Sequence, residues 1–133
     1  MLSVLAFSGS SRSGSVNKKL VHAAAGAVRD AGADVEEIDL RDYRMPLYDG
    51  DEEAADGLPE NTVRLRDLFA SKDAFLIGCP EYNGLITPLL KNTIDWVSRP
   101  DADGKSGLLS VRGKLAALTA AVRYTAIPNR GSC

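Results

Sequence analysis

Phe7-Ser8-Gly9-Ser10-Ser11-Arg12-Ser13-Gly14-Ser15-Val16-Asn17 combines two glycines, five serine hydroxyls, one guanidinium and one carboxamide in eleven residues. Placed between a strand and a helix, such a segment offers backbone N–H groups and a helix dipole to an anion. Gly9 and Gly14 have the spacing of a nucleoside-triphosphate loop, but Ser15 and Val16 stand where its Lys and Ser/Thr would be needed. The G-x-G-x-x-G dinucleotide pattern is absent as well. What remains is a cradle for a terminal monophosphate, with Ser10, Ser15 and Asn17 as hydrogen-bonding partners and Arg12 adding charge-assisted bonds. The same residues also suit a polar turn in which Ser15 merely caps the helix. A second segment, Cys79-Pro80-Glu81-Tyr82-Asn83-Gly84, puts an aromatic ring, an amide and several main-chain groups directly after an apolar run. That combination fits a planar heteroaromatic ring.

The elements around these segments set where they must lie. Leu2 to Ser8 is a short, nearly continuous apolar run, the pattern of a strand buried on both faces of a parallel sheet. Val16, Leu20, Ala24, Ala27, Val28 and Ala31 share a helical face, and Gly32 ends it. Val35 to Leu40 mixes apolar and acidic residues and suits a second strand. Residues 41–58 hold no lasting period and are expected to be a long loop. A second helix opens near Pro59 and carries Val63, Leu65, Leu68 and Phe69. A third strand follows at Ala74 to Cys79. Ile86, Leu89, Leu90, Thr93, Ile94 and Val97 predict a third helix, and Leu115 to Val122 a fourth strand. Strands alternating with helices imply an α/β, doubly wound parallel sheet with its ligands outside the carboxyl ends of the strands. Both chemical segments come just after strands.

With both segments in place, the sequence resembles the NADPH-dependent FMN reductase family of flavodoxin-like proteins, which includes quinone, azo and chromate reductases. The resemblance rests on Gly9 to Asn17, on Pro80 to Gly84, and on Lys91-Asn92-Thr93-Ile94-Asp95-Trp96-Val97-Ser98-Arg99-Pro100, in order and spacing over about residues 1–120. It implies a sheet of order 2-1-3-4, FMN as cofactor and NAD(P)H as reductant. By resemblance Ser10, Arg12, Ser15, Val16 and Asn17 lie at the FMN phosphate, and Pro80, Glu81, Tyr82, Asn83 and Gly84 along the ribityl chain and ring. It further implies a small-molecule electron acceptor (quinone, azo dye, metal oxyanion or free flavin) and a homodimer or homotetramer.

Beyond about residue 120 the resemblance breaks. The family's next loop, Ser-x-Ser-Pro-Gly-x-x-Gly-Gly, has no counterpart in Ala120-Ala121-Val122-Arg123-Tyr124-Thr125, and too few residues follow for a fifth strand and the last helices. The expectation is an incomplete flavodoxin-like domain over 1–122 and an irregular tail over 123–133, a truncated or altered family member. Three functions follow: an FMN-dependent oxidoreductase, a flavin or phosphate binder without turnover, or a nonfunctional fragment.

Bulk properties restrict the alternatives. With 44% hydrophobic and 26% charged residues the chain has the makings of one globular core, and 16 Lys plus Arg against 18 Asp plus Glu give no charge excess for a nucleic-acid partner. No apolar run approaches the ~18 residues of a membrane span, so no membrane association and a cytoplasmic location are expected. Cys79 and Cys133 form no C-x-x-C. Asp49, Asp51 and Glu60 fall at calcium-loop positions, but Ala54 replaces the turn glycine and a solvated acidic loop accounts for the run. His22, remote from both segments, suits a structural or surface role better than a base paired with Cys79.

Overall fold

The computed structural model describes residues 1–121. Strands β1 (Ser3–Ser8), β2 (Asp34–Glu37), β3 (Ala74–Gly78) and β6 (Leu115–Thr119) form a parallel sheet in the order β2-β1-β3-β6. This is the expected 2-1-3-4 arrangement. The register pairs Val4 with Val35 and Ala74, and Ala74 in turn with Leu115. The expected tail over 123–133 lies outside the described residues.

Side chains alternate across β1, so its continuous apolar run serves two cores. Leu5 and Phe7 join Phe75, Leu65, Phe69, Leu90 and Val97 on one face, whereas Val4 and Ala6 join Val21, Ala25, Val35 and Leu76 on the other. Helix α1 (Val16–Asp30) covers the second face with Val21 and Ala25. Helices α3 (Glu60–Ser71) and α4 (Pro88–Val97) cover the first. Each fully buried Leu or Phe here contributes about 1.5–3 kcal/mol of transfer free energy, before conformational entropy is counted.

Three local expectations change. Residues 41–58 are not all loop. A 3-10 turn spans Leu40–Tyr43, and helix α2 (Gly50–Asp56) occupies the acidic run. The Asp49 side chain accepts from Asp51 N–H at 2.8 Å, and Asp51, Glu52 and Glu53 fill the first turn, where the helix dipole favours negative charge. A helix with no buried residue shows no apolar period, which is why the pattern missed it. Ile86, assigned by spacing to the third helix, instead lies in β5 (Leu85–Ile86), paired antiparallel with β4 (Glu81–Tyr82). Pro88 at the first turn marks where α4 begins, with Thr87 as its cap. In α3 Leu65 and Phe69 face the core as expected, but the third inward residue is Thr62, fully buried, while Val63 is 43% exposed.

Candidate functional site

The first loop leaves β1 along its neighbour: Gly9 N–H donates to Gly78 O at 2.7 Å. A side chain at Gly9 would press on Thr87 Oγ1 at 3.1 Å and Leu90 Cβ at 3.2 Å, so the glycine permits the loop to pass under the start of α4. Thr87 Oγ1 donates to Gly9 O at 2.6 Å while accepting from Leu90 N–H, which ties the two chemical segments together through one buried hydroxyl.

Ser15 does cap α1, accepting from Lys18 N–H at 3.3 Å. The cap leaves the N–H groups of Val16 and Asn17 without an intrahelical acceptor. Capping and anion binding are therefore compatible uses of the same turn. Lys18, which the sequence reading passed over, reaches back from the helix: its Nζ donates to Ser11 O at 3.1 Å and pairs with Asp39 Oδ2 at 2.7 Å. Burial alone would raise the Asp39 carboxyl, but the bonds from Lys18 and from Arg41 N–H outweigh it and hold the group below its ordinary range. Lys18 thus braces the loop, and Arg12 has no carboxylate partner among the described residues.

The second loop is a hairpin. Asn83 (φ 52°) and Gly84 (φ 81°) both take left-handed backbone, the requirement of a tight two-residue turn that Asn-Gly satisfies. Because β1 and β3 are hydrogen-bonded neighbours, this hairpin and the first loop emerge side by side. Ser10, Arg12, Ser15, Val16, Asn17, Pro80, Glu81 and Tyr82 line one open cleft of about 730 Å³, together with Ala121. Ser10, Ser15 and Asn17 are buried in its floor, whereas Tyr82 is 52% exposed at its wall. Asn83 and Gly84 form the hairpin tip and are not among the lining residues.

A third segment borders the cleft that sequence reasoning did not foresee. The Asn17 carboxamide pairs reciprocally with Ala121, accepting from its N–H at 3.0 Å and donating to its carbonyl at 3.2 Å. Ala121, two residues past β6, is thereby held at the start of α1. A second unforeseen link fixes the segment after the 3-10 turn. Pro46 O accepts from Trp96 Nε1 at 2.7 Å and from Asn92 Nδ2 at 2.9 Å, and Tyr48 N–H donates to Asn92 Oδ1. Arg99 then grips Glu53 with Nε at 2.9 Å and Nη2 at 2.8 Å, tying α2 to the end of α4.

The remaining chemical candidates are otherwise engaged. His22 bonds Glu37 at 2.9 Å on the surface, and burial pushes the Cys79 thiol up, away from nucleophilic use. Of the calcium-spaced acids, Asp49 is a helix cap.

A profile of the NADPH-dependent FMN reductases matches residues 2–126. The chain belongs to this family. A probable NADPH:quinone oxidoreductase 2 of Oryza sativa is 38% identical over 117 residues, covering 84% of this chain and 57% of that one. An NAD(P)H-dependent FMN reductase of Pseudomonas aeruginosa is 41% identical over 106 residues, covering 80% and 55%. The chain therefore spans little more than half the length of these relatives. Among solved structures, the flavoenzyme NAD(P)H:(acceptor) oxidoreductase FerB of Paracoccus denitrificans superposes with a TM-score of 0.70 at 32% identity, covering 90% of this chain and 60% of that one.

Membership implies use of a flavin and a nicotinamide coenzyme, and the residues present fit FMN. Two helix N–H groups without an acceptor among the described residues, the buried Ser10 and Ser15 hydroxyls and the Arg12 guanidinium suit a phosphate dianion, with Glu81 and Tyr82 as a polar and aromatic wall beside them. No helix among the described residues is long and apolar enough to cross a membrane.

Proposed function

We propose that this chain binds FMN in the cleft between its first loop and its hairpin, and serves in NAD(P)H-dependent reduction of a small-molecule acceptor such as a quinone, azo dye, metal oxyanion or free flavin. The observation that carries this reading is the convergence of Ser10, Arg12, Ser15 and Asn17 with Pro80, Glu81 and Tyr82 on one cleft. Bound FMN would supply the redox chemistry, accepting hydride from nicotinamide and returning electrons to the acceptor. The protein supplies position and electrostatics. Arg12 and the free N–H groups of α1 neutralise the phosphate, and the Ser10 and Ser15 hydroxyls orient it. Pro80 and Tyr82 exclude water along the ring, and Glu81 presents a polar group near its edge.

The half-exposed Tyr82 and the exposed Leu85, Ile86 and Leu118 support assembly into a homodimer or homotetramer. A free thiol at Cys79 is compatible with work in the reducing cytoplasm. Fluorescence titration with FMN, followed by NADPH and NADH oxidation with a quinone, tests the proposal. Quenching that saturates at one FMN per chain with quinone-dependent oxidation supports it. FMN binding without oxidation reduces it to a binder, and no FMN binding refutes it.

A further inference from the structure

A second cleft, of about 670 Å³, opens on the far side of Arg12 from the hairpin. Its lining includes Arg12, Arg41 and Arg44 with Leu40, Met45 and Leu89, and contains no carboxylate. Arg41 belongs to the 3-10 turn and Arg44 is its C-cap, three residues on. Residues three apart eclipse in such a turn, which is how both reach one cleft.

The surrounding charges make this grouping informative. Arg29, Arg99, Lys18, Lys72 and Lys91 all pair with carboxylates. Arg12, Arg41 and Arg44 have no ion pair among the described residues, and their side chains make no hydrogen bond there. The acids of the same segment lie outside its lining: Asp39 is paired with Lys18 and accepts from Arg41 N–H, and both Asp39 and Asp42 line a different cleft with Tyr43 and Arg64. Three like charges in one concavity whose lining holds no carboxylate focus a positive potential that an anion would relieve. The floor under them is apolar, the surroundings expected for a purine face next to a phosphate. The floor is also held in place, because Pro46 is bonded to Trp96 and Asn92.

We propose that this cleft receives the adenosine 2′-phosphate of NADPH, with Arg41 and Arg44 as the residues that distinguish NADPH from NADH. The inference rests on the nicotinamide-coenzyme reading above. Arg12 stands between the two clefts and faces both anions, which places the coenzyme's phosphorylated end beside the FMN phosphate cradle.

Calorimetric titration with 2′,5′-ADP, 5′-AMP and inorganic phosphate tests the site without requiring turnover. The parent is expected to bind 2′,5′-ADP at least about tenfold more tightly than the other two, and Arg41→Ala/Arg44→Ala to abolish that margin. FMN titration of both proteins runs in parallel and is expected to agree, since neither arginine lines the other cleft. In the parent, added salt must weaken 2′,5′-ADP more than 5′-AMP, a readout independent of any variant's folding. A parent that binds 2′,5′-ADP and 5′-AMP alike, or a margin that survives in the double variant, overturns the proposal while intact FMN binding leaves the flavin reading standing. Inorganic phosphate binding as tightly as 2′,5′-ADP also overturns it. Failure of FMN to bind, with the 2′,5′-ADP margin present, would instead overturn the flavin reading and support this site.

Discussion

Gly78 ends β3 tightly against the first turns of α1, and Gly78→Ala tests whether that closeness builds the phosphate cradle. An ideal Cβ there would stand 2.5 Å from Val21 Cγ2 and 3.2 Å from Asn17 O. Carbon atoms prefer about 3.5–4.0 Å, so α1 or Val21 must retreat by roughly 1 Å. Val21 is buried and β-branched, with one favoured rotamer in a helix, and Asn17 O is main chain. Neither can swing aside. Overpacking of this kind costs about 1–3 kcal/mol, and replacing glycine returns about 0.4–1 kcal/mol through the unfolded chain. The net expectation is a loss of about 1–2 kcal/mol, or on the order of 5 °C in Tm for a domain this size. The displaced atom belongs to the first turn of α1, so FMN affinity should fall as well. Urea unfolding of Gly78→Ala, Val21→Ala and the double variant measures the clash, because removing the Val21 methyls opens room for the new Cβ. The double variant should be more stable than the sum of the two single losses. A Gly78→Ala protein as stable as the parent, or strictly additive variants, would refute the close-approach argument.

Arg12→Ala should weaken FMN about ten- to hundredfold by removing a charge-assisted bond to the phosphate; an unchanged Kd by fluorescence titration would move the phosphate elsewhere. Thr87→Val should destabilise by about 1–3 kcal/mol in urea, since it removes the α4 cap and leaves Gly9 O unpaired, while Thr87→Ser should retain most of the stability. Tyr82→Ala should change bound-flavin fluorescence, and identical spectra at saturating FMN would remove the hairpin from the site. Asp39 has a lowered pKa, so its pair with Lys18 contributes stability above the ordinary aspartate range and loses it as pH falls through the folded-state value. The pair is partly exposed, so Asp39→Asn should flatten the acid limb of the urea midpoint by only about 0.2–1 kcal/mol.

Strands β1 and β3 were legible in the sequence because burial on both faces leaves an unbroken apolar run, and the motif-bearing loops were legible because each directly follows such a run. Their meeting depends on β1 pairing with β3, a strand order that the family resemblance implied and that strand and helix alternation alone leaves open. What escaped was held by polar or remote contacts. Helix α2 is stabilised by Asp49 and by Glu53 gripping Arg99, neither of which leaves an apolar period. Ile86 matched the helical spacing of Leu89 and Leu90, although Asn83-Gly84 signalled a hairpin that would claim it. Asn17 meets Ala121 across 104 residues, and Arg41 and Arg44 join Arg12 only after the 3-10 turn forms. No local pattern carries such pairings.

The bond from Trp96 to Pro46 gives the protein a built-in optical reporter. Trp96 is the single tryptophan of the chain, 1% exposed, with its ring edge-on to Tyr48 at 5.0 Å between centroids. Its emission therefore comes from one environment, the underside of the segment that carries Arg44 and Met45. Displacement of that segment would admit water to the indole and shift the emission to the red, whereas a rigid segment would leave it fixed. A bound flavin would quench the same emission by energy transfer. One chromophore, excited without labelling or substitution, can thus follow filling of the first cleft by its intensity and movement beside the second by its colour.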